Sequence, residues 1–367
     1  MKKRVRSKLY EIRNTRGIAA ADIAKRVGVT RQTIYAIEAG NYVPNTEVAL
    51  KLARELEVSV EELFALAESE SKSVDEFRAD YLGATRPRAG QAVRLGRVGT
   101  KLISVPVSAS PYFLPEADGI LKDGGRVVAF PSESAAHKRI VLAGCDPATS
   151  VLAHMVQEVA GLEVIHAPAA SELALQWLKE GRVHIAGSHL EDPQTAEFNM
   201  PYVRKKFAGE DIGMVTFAEW EEGFVVRRGN PKGIQGAADL AGKRLSLINR
   251  QPGSGSRLLL DRLLREASIP PRSVQGYKRV AAGHLAAAYA VFSGEVDCCL
   301  ATRSAARAYD LGFVPVKSER YDFVFRRSTL DLPFIQTFMD ILQRAALRRK
   351  LEMLAGYETR KTGARIE

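Results

Sequence analysis

The 367-residue chain is 46% apolar and 26% charged, and its 53 Lys+Arg against 43 Asp+Glu give a formal charge of +10. That composition excludes disorder, a collagen-like repeat and a disulfide scaffold, and at ~150 residues per domain it leaves room for two or three cores. Within residues 1–40 ten Lys/Arg face only Glu11, Asp22 and Glu38. A local excess of +7 points to a polyanionic partner, nucleic acid ahead of anionic lipid.

Cys145, Cys298 and Cys299 are too few and too oddly placed for a disulfide framework or a zinc site, so reduced, buried thiols in a cytoplasmic protein are expected. No window approaches the ~18 apolar residues of a membrane span. The basic start MKKRVRSKLYEIRNTRG lacks the apolar core of a signal peptide.

Residues 1–66 read as five short helices. Leu9, Ile12 and Arg13 recur at helical spacing before Gly17, and Ile23, Ala24 and Val27 mark a second helix over 19–27 that Gly28 stops. Thr30 caps a third helix to about Ala39, the stretch 41–44 turns the chain, and Thr46 caps a fourth through Leu56. Ser59 with Glu62 has the spacing of a capping box and opens the fifth. A helix beginning at Arg31 can enter the major groove end-on, where Gln reads adenine and Arg reads guanine. Ile34 and Ile37 face the core, leaving Arg31, Gln32, Thr33 and Tyr35 outward, with Asn41 in the turn beyond. Lys8, Arg13 and Arg16 are candidate phosphate contacts, and Lys2, Lys3, Arg4 and Arg6 a candidate arm.

Residues 67–136 read as a polar linker followed by a small β-rich connector. In it VRLGRVGTKLISVPVS forms two strands around a Gly99-Thr100 turn, and GRVVAFPS a third. From Arg139 short apolar runs alternate with helices: IVLAG, LEVIHA, VHIAG, GFVVRR, RLSLI, DCCLA and YDFVFRR are the expected strands. Alternation of that kind implies an α/β fold with parallel strands over 137–330, and its length suits two lobes. A final helix from Leu332 to about Leu351 opens a C-terminal segment, 331–367, packing on those lobes.

The most informative stretch there is Arg250-Gln-Pro-Gly-Ser-Gly-Ser-Arg257, between a strand and a helix. A glycine-rich turn at a helix N-terminus gathers backbone N–H groups, while Ser254 and Ser256 add hydroxyls and Arg250 or Arg257 adds charge. No acidic residue lies between Asn249 and Leu260, which suits a small oxyanion lacking protons, and the Gly-Lys-Ser/Thr ending of a nucleotide loop is absent. Ligands of open α/β sheets bind beyond strand carboxyl ends. Thr149, Ser150, Ser188, His189 and Thr302 are therefore further candidates, whereas Tyr321 is expected to pack between lobes. Neither a GxSxG elbow, an HExxH motif nor a believable Cys–His pairing is visible, so catalysis is not expected.

Two resemblances sharpen these readings. Residues 7–66 resemble the Cro/repressor-type, or xenobiotic-response-element, helix-turn-helix family, on the stretch Ile23-Ala24 through Leu56 with Gly28, Arg31, Thr33, Ile34, Ile37, Glu38, Gly40 and Pro44 in place. The resemblance implies a supporting helix over 21–27, a recognition helix over roughly 31–39, base reading by Gln32 and Thr33, and binding of double-stranded operator DNA as a homodimer. Residues 139–327 are similar to periplasmic-binding-protein-like domains related to molybdate and tungstate receptors, on AGCDPATSVLA, ALQWLKEGRVHIAGSHL and NRQPGSGSRLLLDRLL among others. Carried over, Arg250, Ser254 and Ser256 become the leading contacts to an anionic effector, Arg257 a second candidate, and no other cofactor is implied. The joint expectation is a one-component transcriptional regulator that senses molybdate or tungstate. A different small anion or organic acid, or a ligand-free dimerisation scaffold, are the alternatives.

Overall fold

A computed structural model describes residues 5–66, 76–107, 116–129, 139–242 and 245–366. The chain divides into two compact units, residues 1–73 and 74–367. The first holds helices α1 (Leu9–Thr15), α2 (Ala20–Val27), α3 (Arg31–Glu38), α4 (Thr46–Glu55) and α5 (Val60–Leu63), closed by an antiparallel pairing of Val5–Ser7 with Phe64–Leu66. Their apolar stripes meet in a core of Leu9, Ile23, Val27, Ile34, Ile37, Leu52, Leu56 and Leu63. Gly28 ends α2 in the left-handed region, φ 81°. Thr30 caps α3 by accepting from the Thr33 N–H, and Ser59 and Glu62 form the reciprocal capping box. The cap of α4 is Asn45, not Thr46, because the Asn45 carboxamide reaches the Val48 N–H one residue earlier than expected.

The second unit begins earlier than the composition suggested. Strands Glu76–Arg78 and Asp80–Tyr81 lie inside the stretch read as linker and complete a six-stranded sheet with Ala92–Val98, Lys101–Pro106, Gly119–Leu121 and Arg126–Ala129. Strands of two or three residues carry too little period-two signal to be read from sequence. The hairpin at Gly99-Thr100 is present. Buried Asp118 ties this sheet to the next, accepting from Arg139 (2.7 Å), Arg94 (3.1 Å) and the Leu95 N–H (2.6 Å).

The remainder is two α/β lobes built on one mixed sheet. Arg139–Gly144, Glu163–Pro168 and Ile185–Ser188 pair in parallel in the first lobe, as do Leu247–Arg250, Val280–Ala281 and Cys298–Thr302 in the second. Between them run two 15-residue antiparallel strands, Ile212–Val226 and Gly312–Arg326. Each joins the first lobe at one end and the second at the other, and the ladder is irregular at Thr216/Ala218 and Glu222/Gly223. These connectors make the sheet mixed, not parallel throughout. The expected final helix is two, Pro333–Leu342 and Ala345–Glu352, which pack on the first lobe. The tail then adds Tyr357–Glu358 and Arg365–Ile366 to the edge of Ile212–Val226.

Candidate DNA interface and ligand cleft

In the first unit the outward side of α3 presents Arg31, Gln32 and Tyr35 to solvent with Thr33 half-buried beside them. The Arg31 guanidinium donates to the Tyr35 hydroxyl at 2.6 and 2.9 Å, which holds both side chains over the helix start. Thr33 shares a 2.8 Å hydrogen bond with Thr30, and Lys8, Arg16 and Asn41 are exposed. Arg13 departs from the expectation. It is buried, bonded to Glu38 at 2.6 Å and to the Ile18 carbonyl at 2.7 Å, and so braces α1 against α3 with no guanidinium free for phosphate. Of the candidate arm, residues 2–4 lie outside the described residues.

In the second unit, the turn after Leu247–Arg250 is pressed into the gap between the lobes. The Gly253 carbonyl accepts from the Glu172 N–H at 3.1 Å, and a Cβ on Gly255 would stand 2.4 Å from the His189 carbonyl oxygen. Only glycine permits that approach. Arg250, Ser254 and Ser256 are all buried there. The Arg250 Nη1 and the hydroxyls of Ser256, Thr149 and Ser188 have no hydrogen-bond partner among the described residues. Buried polar groups left so are costly, and in a binding protein they mark where a ligand sits.

Other candidates are already committed. Ser254 caps the helix Gly255–Glu266, accepting from the Arg257 N–H and donating to the Gln251 carbonyl. Arg257 lies 4.0 Å over the Tyr277 ring and bonds Asp261, turned away from the cleft. Ser150 donates to the Pro147 carbonyl at an exposed turn, and Thr302 caps the helix Arg303–Ala308. Ser254 and Thr302 are helix-start residues whose hydroxyls close their own helices, a use that sequence spacing cannot separate from ligand contact. Tyr321, expected between the lobes, is buried in the core of the first lobe. Its hydroxyl accepts the Cys145 N–H at 3.1 Å, over the bare backbones of Gly144 and Gly187.

The cleft is not the donor-only site its local sequence implied. The long connecting strands carry Glu222 and Glu319 into it, both fully buried, and the first lobe adds Asp146. Burial pushes Glu222 up to about 8, reinforced by Glu319 and opposed by His189, Ser256 and Arg250. Burial likewise raises Glu319 to about 7 and Asp146 to about 7, the latter against hydrogen bonds from Tyr357 (2.5 Å) and the Ala148 N–H (2.8 Å). A protonated carboxyl is itself a donor, so near neutrality Glu222 can face an anion without repelling it.

Two histidines also converge. His189 Nε2 lies 3.4 Å from Cys145 Sγ while its Nδ1 lies 2.7 Å from Glu319. His284, fully buried, has its Nδ1 4.0 Å from Glu222. A Cys–His pairing therefore exists where sequence spacing showed none, because its members are 44 residues apart. Above this floor opens a cavity of about 510 Å³, lined by Cys145, Thr149, Arg250 and His284 from both lobes and by Leu82 and Pro106 of the small sheet. The β-rich sheet is thus a third wall of the cleft.

Comparison with known proteins agrees with this architecture. The profile of the PBP superfamily domain matches residues 152–343, and that of a helix-turn-helix matches residues 9–63. The chain belongs to the PBP superfamily. It carries a helix-turn-helix domain at its amino end. This PBP-superfamily chain is 35% identical over 184 residues to YvgK of Bacillus subtilis, a match covering 50% of this chain and 59% of that protein, so it spans less than two thirds of that relative. An HTH-type transcriptional regulator of Methanocaldococcus jannaschii is 38% identical over 66 residues, covering 18% of this chain and all of that protein. A Clostridium perfringens substrate-binding protein solved with bound phosphate superposes with a TM-score of 0.45 at 11% identity, over 60% of this chain and 99% of that one. No described helix is long and apolar enough to cross a membrane.

Proposed function

We propose that this protein is a one-component transcriptional regulator that takes a small anion between the lobes of its PBP-like domain and changes its DNA occupancy in response. The observation that carries the reading is Arg250, a buried guanidinium whose Nη1 has no partner among the described residues. Leaving such a group unsatisfied costs about 1–3 kcal/mol or more, which a bound oxyanion would offset. Thr149 lines the same cavity as Arg250, and Ser256 at the start of Gly255–Glu266 adds a second neutral donor beside the dipole of that helix's backbone N–H groups. No catalytic turnover is part of the reading: the cleft is organised to hold charge.

Operator recognition is assigned to Gln32 and Thr33 as base readers, with Arg31 and Tyr35 beside them and Lys8, Arg16 and Asn41 on the backbone. A homodimer reading two half-sites a helical turn apart completes the proposal. Ligand shifts DNA occupancy only to the extent that it prefers one lobe arrangement.

Molybdate or tungstate is the specific effector proposed, as a compact tetrahedral acceptor of several donors. A second reading, a small hydroxylated organic acid, is favoured by Glu222, whose two carboxylate oxygens are buried without partners and could accept from a ligand hydroxyl. Calorimetry of the full chain against molybdate, tungstate, phosphate, sulfate and small hydroxy acids tests both. Binding of the first two alone supports the metal oxyanion, and binding of hydroxy acids alone supports the second reading. Binding of phosphate or sulfate alone overturns the metal-oxyanion choice and keeps an anion sensor, whereas binding of none of these ligands leaves a DNA-binding scaffold and overturns the sensor.

A further inference from the structure

We infer that the floor of the cleft is a transition-metal site, with Cys145, His189 and His284 as its protein ligands and a borderline divalent cation of the zinc class as its occupant. It goes beyond the anion reading and requires only the arrangement of these side chains.

One ligand atom from each of the three residues lies within 4.8 Å of the others. Thiolate plus two imidazoles is a donor set that favours zinc, cobalt or nickel over calcium or magnesium. The surroundings strengthen the case. A metal-bound histidine characteristically gives its second ring nitrogen to a carboxylate, which fixes tautomer and ring orientation. His189 has this arrangement, with Nε2 toward Cys145 Sγ and Nδ1 2.7 Å from Glu319. His284 makes no such bond, the nearest carboxylate, Glu222, standing 4.0 Å from its Nδ1. Independently, His284 is fully buried and both its ring nitrogens lack a hydrogen-bond partner among the described residues. An imidazole buried at a polar floor with two idle nitrogens is an expensive arrangement unless something occupies it.

Access and charge fit as well. Cys145 and His284 line the 510 Å³ cavity, so an ion has a way in and a face left open. Three protein ligands with an open position are the pattern of a zinc centre that also binds an exchangeable ligand. Arg250 lines the same cavity, so an anion drawn to it would have one oxygen available for the ion. Binding releases the Cys145 thiol proton to solvent, and the thiolate offsets part of the cation's charge. Carboxylates Glu222, Glu319 and Asp146, the Tyr321 hydroxyl and the cation Arg250 are charged or titratable groups around the three ligands.

The test uses the full-length protein, stripped of metal and free of added anion, titrated with cobalt(II) and watched for the sulfur-to-cobalt charge-transfer absorption, with zinc(II) as displacing competitor. The expected result is one equivalent of cobalt with a sulfur band. Cys145→Ser abolishes the band and His284→Ala weakens uptake by at least about tenfold. Cys298→Ser and Arg250→Ala keep it, the latter separating failure of this site from failure of anion capture. Circular dichroism confirms that each variant is folded, and His284→Gln replaces His284→Ala if it is not. Absence of a band in the unaltered protein, a band that persists in Cys145→Ser, or undiminished uptake by a folded His284 variant overturns the inference.

Discussion

The two regions offered to anions use positive charge in opposite ways. On α3 and its neighbours, Arg31, Lys8 and Arg16 stand in solvent, where each contributes a screened, additive attraction to a polyanion. In the cleft the Arg250 guanidinium is buried, its Nη1 without a partner among the described residues, and Thr149 lines the same cavity. There the desolvation cost is already met by the fold, so one interaction can decide affinity and shape can decide which anion fits. The difference teaches where to look for specificity: many weak contacts tolerate the loss of one, whereas the enclosed site does not.

That contrast can be broken in several places. The largest stability effect is expected inside the DNA-binding unit, at the one arginine there that behaves like the cleft's. Arg13→Ala strands buried Glu38 and should cost about 3 kcal/mol, read as a lowered unfolding midpoint of the first unit. If Arg13 were an ordinary surface cation, stability would barely move and only DNA affinity would fall. Next is Gly255→Ala, whose methyl would meet the His189 carbonyl. Overpacking of that kind costs about 1–3 kcal/mol, and anion binding should weaken while DNA binding in the absence of anion stays intact. Equal anion affinity in the variant would mean the turn does not pack against the first lobe in solution.

A pH effect comes third. Burial lowers His184 to about 4, and its Nδ1 accepts the Val141 N–H, which requires the neutral ring. Below about 6.5 the unfolded chain takes up a proton that the folded chain refuses, so stability falls as pH drops from 6.5 toward 4. The slope from this one group approaches about 1.4 kcal/mol per pH unit within that window, and His184→Gln should flatten it. Unchanged steepness in acid denaturation of the variant would remove His184 from the account. Smallest is Lys8→Ala, expected to lower the salt dependence of operator binding by about one unit of log–log slope without altering sequence preference. A change of preference would place Lys8 at a base and not at a phosphate.

Legibility follows the same division. The helix-turn-helix could be read because its signals are local: Thr30, Gly28 and the Ser59–Glu62 box act within four residues, and Ile34 and Ile37 keep a helical period. Even there Arg13 misled, since a cation at helical spacing looks solvated until Glu38, 25 residues on, is folded against it. In the cleft, Arg250 and Ser256 were legible from a strand–turn–helix. Ser254 and Thr302 were not separable from them, because a helix cap and a ligand contact use the same residue at the same position. Glu222 and Glu319 were hidden for another reason. They lie on strands that cross between lobes, and VTFAEWEE has too many polar residues to read as buried strand. His284 sits at the head of an alanine-rich helix whose partners come from residues 145, 189 and 222, and no spacing along the chain announces that meeting.

The central claim is tested most directly by calorimetric titration of an effector anion into the full chain and into Arg250→Ala, with operator affinity measured alongside. The account predicts at least about a hundredfold loss of anion affinity, a charge-assisted contact in a desolvated site being at stake, with anion-free operator binding unchanged. An Arg250→Ala protein that binds the anion as the unaltered chain does would contradict it.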